Sequence, residues 1–104
     1  MPGETQSNPT SSGAEVPIVD NVARHRYELI VDHHIAFVAY ERTPGTIRFI
    51  HTVVPEALGG RGIGGRLAKY VLDKARSDGE KVIPQCPFIA AYIGKHPEYR
   101  DLVV

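Results

Sequence analysis

The chain has one cysteine, Cys86, in 104 residues, so no disulfide can close within it. The setting this predicts is a reducing one, and the protein is read as cytoplasmic. Neither sign of charge is in surplus, with 12 Lys plus Arg against 12 Asp plus Glu. Without a net field, neither nucleic acid nor an anionic membrane is an expected partner. No apolar run approaches the ~18 residues that cross a bilayer, and "MPGETQSNPTSSGAEVP" has neither the basic start nor the apolar stretch of a signal peptide. No Cys/His or acidic cluster has metal-ligand spacing, so no metal is expected. A chain of this length supports one domain, expected to act as a monomer or weak dimer. Residues 1–17, rich in Gly, Pro, Ser, Thr and Asn, bury too little apolar surface to order and read as a disordered tail. That leaves 18–104 as a single folded unit.

What is present is first a set of three β-rich runs, "RHRYELIVD" (24–32), "HIAFVAYERT" (34–43) and "TIRFIHTVV" (46–54). Asp32-His33 and Thr43-Pro44-Gly45 break them as turns, which predicts an antiparallel meander. By period two, Ile47, Phe49, His51 and Val53 share one face of the third run. From Gly62 to Ser77 the apolar positions Ile63, Leu67, Val71 and Ala75 recur at helical spacing, with Gly79 as the stop. "EKVIPQCPF" (80–88) reads as a strand bent at Pro84, and "PFIAAYIGKHPEY" as a second helix ending ahead of Pro97. The order β-β-β-α-β-α is an α+β arrangement with a strand–loop–helix–strand unit and a ligand site at the strand ends.

Before the first helix, Gly59, Gly60, Gly62, Gly64 and Gly65 fall within seven positions. Glycines there allow positive φ or close approach to backbone, and a helix start offers unpaired N–H groups to an anion. A flexible loop before an ordinary helix is the plainer alternative. A nucleotide P-loop requires Lys and Ser or Thr after the last glycine of its loop, but Arg66 and Leu67 follow Gly65. A dinucleotide GxGxxG fits the frame of Gly60 to Gly65, yet that motif opens the first βα unit of a parallel sheet. Three antiparallel strands upstream do not suit it.

The segment "VVPEALGGRGIGGRLAKYVLDKAR" resembles the acetyl-CoA-binding segment of the GCN5-related N-acetyltransferases: a strand ending in Val-x-Pro, a glycine loop, then an amphipathic helix. "VIPQCPFIAAYIGKHPEY" is similar to the compact single-domain branch of that superfamily, with its Cys-Pro-Phe and His-Pro-Glu-Tyr elements. The resemblance covers residues 25–104 and implies a compact N-acetyltransferase-like fold with a V-like strand pair at the CoA site. The Arg or Gln of the family's loop falls at position 59, where this chain has Gly59; a grip through backbone N–H groups needs no side chain there.

The resemblance implies acetyl-CoA as co-substrate, with the backbone of Val53 and Val54 bonding the pantetheine arm. It implies that Arg61, Gly62, Ile63, Gly64 and Gly65 hold the pyrophosphate, where a side chain at Gly62 or Gly64 would obstruct it. Larger members of the superfamily place two helices between their first two strands. Here only Asp32-His33 separates the runs, which implies an open acceptor side suited to a protein or peptide amine.

Three side chains carry the expected chemistry. Cys86 stands at a strand end before Pro87, a position where a helix N-terminus favours a thiolate nucleophile; the alternative is a small buried hydrophobe. His51 would accept the ammonium proton of the amine, or sit as a hydrogen-bonded core histidine. Tyr92 would return a proton to the departing CoA thiolate, a role implied by the resemblance, or pack with Ile89 and Ile93. The activity expected is acetyl transfer from acetyl-CoA to an amine. The rival is an acyl-CoA-binding module without turnover.

Overall fold

The β-rich and helical runs form where their periodicities predict, except that the run read as a strand over 80–88 ends at Pro84 because Pro87 opens a helix, in a computed structural model whose described residues are 16–104. The strands are β1 (Val19–Asn21), β2 (Arg26–Val31), β3 (His34–Thr43), β4 (Thr46–Val53) and β5 (Lys81–Pro84), and the helices are α1 (Ile63–Ser77) and α2 (Pro87–Lys95). Four pieces were not expected from the sequence, the short β1 and three 3-10 segments, Val22–Arg24, Glu56–Leu58 and Pro97–Leu102. The expected tail lies outside the described residues as far as residue 15. Val16 packs against the core and Ile18 is buried in it, so packing begins before the boundary drawn at 18.

The sheet order is β1-β2-β3-β4-β5. The first four strands are antiparallel and β5 pairs parallel to β4, giving a mixed five-stranded sheet. Asp32 and His33 both take positive φ, the backbone that a two-residue hairpin turn requires between right-twisted strands. Pro44-Gly45 makes the next turn, with Gly45 at φ +75. Tyr27, Leu29, Val31, Ala36, Val38, Tyr40, Ile47, Phe49 and Val82 alternate along the strands onto one face, where α1 lays Leu67, Ala68, Val71, Leu72 and Ala75. Ile89 and Ile93 of α2 join the same core. The other face carries Arg26, Ile30, Ile35, Phe37 and Val53, and among the described residues no helix covers it.

One irregularity decides which residues of β4 face the helices. Tyr40 pairs with Phe49 but Ala39 pairs with His51, so Ile50 is an extra residue, a β-bulge. Period-two alternation restarts beyond it. Thr52 therefore takes the helix side opposite Val38, while His51 and Val53 turn outward opposite Ala39 and Phe37. The expectation that His51 shares a face with Ile47 and Phe49 is corrected on this ground.

Candidate active site

β4 and β5 run side by side from Thr46 and Lys81 to Phe49 and Pro84, and then part. β5 stops, and the Cys86 N–H donates to the Phe49 carbonyl at 2.8 Å as the last backbone link between the two segments. β4 continues to Val53 with β3 on one side only, which leaves an open edge from Ile50 to Val53. Because the two strands are parallel, the helices that follow them both begin at this end of the sheet. It is the crevice beyond the carboxyl ends of parallel strands where α/β proteins hold ligands.

The α1 start is an anion cradle in its geometry. Gly62 caps the helix at φ +71 and ψ 16, a left-handed conformation that β-carbon-bearing residues rarely take. The first intrahelical bond runs from Arg66 N–H to Gly62 O at 3.1 Å. The N–H groups of Ile63, Gly64 and Gly65 lie ahead of it with no helical acceptor, where the helix dipole favours negative charge. The loop proper is thus Gly59 to Gly62, and the last two glycines of the cluster belong to the first turn of α1. Arg61 leans from the loop to the β2–β3 turn, its Nη1 3.2 Å from Asp32 Oδ2.

The glycines of the cluster differ in what surrounds them. A Cβ at Gly62 would meet nothing within 4 Å, so backbone conformation is what requires glycine there. A Cβ at Gly64 would lie 3.0 Å from Phe88 Cζ, so at this position the space belongs to a neighbouring ring. Only the Gly64 contact follows from where α2 packs.

The α2 start holds Cys86 as its N-cap, 2 % exposed, with Pro87 in the first turn. Its Sγ lies 3.3 Å from Thr52 Oγ1. A thiolate only accepts, so in that state the Thr52 hydroxyl is the donor. Tyr92 is stacked on His96, with ring centroids 3.9 Å apart, and tilted against Tyr99. It shares an open groove of about 280 Å³ with Phe88, Ala91 and Lys95. His51 sits on the uncovered sheet face, edge-on to Phe37 at 6.0 Å between centroids, and Arg26 lies over the same phenyl ring at 4.3 Å.

Val53 ends β4 and Val54 follows it, Arg61 and Gly62 lead into α1, Ile63, Gly64 and Gly65 open that helix, and Cys86 follows the end of the neighbouring strand β5. His51 stands on the opposite side of the sheet from Cys86 and Thr52. Sequence reasoning missed three residues here. Asp32 was read only as a turn and Phe88 only as part of a motif. Thr52 could have been found only by anticipating the bulge.

The family model for GCN5-related N-acetyl-transferases matches residues 26–102. Among solved structures, an NMR solution structure of a GCN5-like protein from Staphylococcus aureus superposes with a TM-score of 0.68 at 26% identity, covering 88% of this chain and 90% of that one. No curated protein matches the chain.

Proposed function

The chain belongs to the GCN5-related N-acetyltransferases, and from that membership we propose that it moves an acetyl group from acetyl-CoA to an amine carried on a protein or peptide. The observation that supports this reading is the convergence of two helix N-termini and an open strand edge at one end of a parallel strand pair. The N–H groups of Ile63, Gly64 and Gly65 suit a diphosphate, and Gly62 keeps a β-carbon away from them. The free backbone from Ile50 to Val53, with Val54 beyond it, suits the amides of a pantetheine arm by strand-like pairing.

In the leading route the Cys86 thiolate attacks the acetyl carbonyl carbon, forming a new carbon–sulfur bond. The bond from that carbon to the CoA sulfur breaks, and the departing thiolate takes a proton from the Tyr92 phenol. The acceptor amine then attacks the acetyl-cysteine, losing a proton to water as the Cys86 thiolate is released, since His51 stands on the other side of the sheet. Burial of Cys86 and its bond to Thr52 favour a second route, in which Cys86 only packs. There the amine attacks acetyl-CoA directly, a backbone N–H near Val53 holds the oxyanion, and His51 on the uncovered face is the base.

Incubation with acetyl-CoA and no amine separates the routes. The two-step route leaves an acetyl mass on the Cys86 peptide, and Cys86→Ala abolishes transfer while still binding acetyl-CoA. Full transfer by folded Cys86→Ala protein would return the chemistry to direct attack. Binding without transfer to any member of an amine panel would leave an acyl-CoA-binding module.

A further inference from the structure

Phe88 is a large aromatic in the first turn of α2 with 43% of its surface exposed. The core side of its helix is supplied by Ile89 and Ile93 instead. Its ring leans across to the first turn of α1, where the tip of the ring fills the space a β-carbon at Gly64 would take. The three ring atoms nearest to that point are Cζ at 3.0 Å, Cε2 at 3.5 Å and Cε1 at 3.6 Å. No other glycine of the cluster has a neighbour of this kind. Gly60, Gly62 and Gly65 have nothing within 4 Å of that position, and Gly59 has only the nearby Glu56 carbonyl oxygen.

The contact couples the two ends of the crevice. Gly64 contributes a cradle N–H, and Phe88 follows Cys86 by two residues in the same helix start. The ring therefore sets the gap between the diphosphate cradle and the thiol. On the proposed reading, acetyl-CoA has its diphosphate at one end of this gap and its thioester at the other. The part of the molecule between them begins with the pantoyl group, whose two methyls make it the apolar section of the arm. A half-exposed phenyl ring beside the gap matches that chemistry, since an apolar ligand surface would remove both it and the ring from water.

We propose that Phe88 is a positioning and specificity residue of the acyl-CoA site: its tip braces the cradle at Gly64 and its exposed surface packs on the pantoyl segment. This rests on the acetyl-CoA reading above. The test is calorimetric titration of acetyl-CoA into the wild type, Phe88→Ala, Phe88→Leu, Gly64→Ala and the Gly64→Ala/Phe88→Leu pair, with a thermal melt of each to certify the fold. Phe88→Ala is expected to weaken binding by about tenfold, in line with the loss of one well-packed apolar contact. Gly64→Ala is expected to weaken it by pushing the ring aside. The decisive result is a reversal of sign. Phe88→Leu weakens binding in the wild type but tightens it in the Gly64→Ala background, because the shorter side chain vacates the clash. Binding by folded Phe88→Ala within twofold of the wild type, or a double variant no better than Gly64→Ala, would overturn the proposal. Absence of acetyl-CoA binding by the wild type itself would overturn the acyl-CoA reading and this inference with it.

Discussion

Thr52 and Gly62 are the single residues at which the proposed site is most directly tested. The Thr52 hydroxyl reaches the Cys86 sulfur at 3.3 Å, and a hydrogen bond to a charged acceptor contributes about 1.5–3 kcal/mol. On the two-step route that bond holds the sulfur as the amine displaces it, and Thr52→Val, nearly isosteric but without the donor, is expected to slow acetyl transfer about tenfold. Thr52→Ser, which keeps the hydroxyl and loses a methyl, retains most of the rate. Equal rates in the two variants would assign Thr52 to packing. Gly62 tests the cradle through backbone conformation. Gly62→Val forces a β-branched residue to φ +71, which costs about 1–2 kcal/mol or more and distorts the helix start. A lower melting temperature together with lost acetyl-CoA binding is the expected pair of results. Unchanged affinity in a folded variant would remove this loop from the site.

At the scale of elements, the short β1 is tied to the meander by half-buried polar contacts that continue to an exposed ion pair. Tyr40 donates its phenol to Asp20 of β1, and Arg42 bonds both the Tyr27 hydroxyl and Glu80 beyond α1. Burial and then the Asp20 hydrogen bond push the Tyr40 phenol up from 10.0 to about 12. The folded value lies above the unfolded one, so the unfolded chain releases this proton first as pH rises. The Tyr40 contribution to stability is therefore complete below pH 10 and is lost between pH 10 and about 12. Urea titrations across that window should show a steeper loss in the wild type than in Tyr40→Phe; parallel profiles would show that the phenol proton is not linked to folding. Tyr27 and Tyr99 are raised as well, chiefly by burial, so the difference between the two proteins is what isolates Tyr40.

For the whole molecule, the C-terminal 3-10 segment closes the core from the side of α1. Arg76 makes a two-armed contact with Asp101, both bonds 2.9 Å, and Tyr99 donates to Asp73 at 2.6 Å. Val104 N–H donates to Val82 O at 3.1 Å, and Leu102 is buried beneath. The ion pairs are exposed and weak individually, so the apolar anchor should dominate. Leu102→Ala is expected to lower stability by about 2–5 kcal/mol in a denaturant titration, and Asp101→Asn by less than about 1 kcal/mol. The reverse order would place the closing energy in the charges. Among the described residues no helix is long and apolar enough to cross a membrane.

Local patterning was enough to place most of this protein. The Asp32-His33 and Pro44-Gly45 turns, the four-residue apolar rhythm of α1, Gly79 at φ +71 after it, and Pro87 opening α2 are each dictated by neighbours in sequence, and each stands where the sequence predicts. β1 escaped notice because three residues, Val19 to Asn21, carry no period of their own and are held by pairing with β2 and by Tyr40. The glycine cluster was legible as a close-approach device, but not what approaches: only the packing of α2 on α1 puts Phe88 against Gly64 while leaving Gly62 in open space. Likewise the composition of β4 named His51, and the bulge at Ile50 turned it outward and Thr52 inward. A bulge is a property of two paired strands, so no periodicity within one of them can announce it. The sequence by itself determined the longer elements and the family they belong to; tertiary structure alone decided which side chain faces which, because a shift of one residue in register exchanges the two faces of a strand.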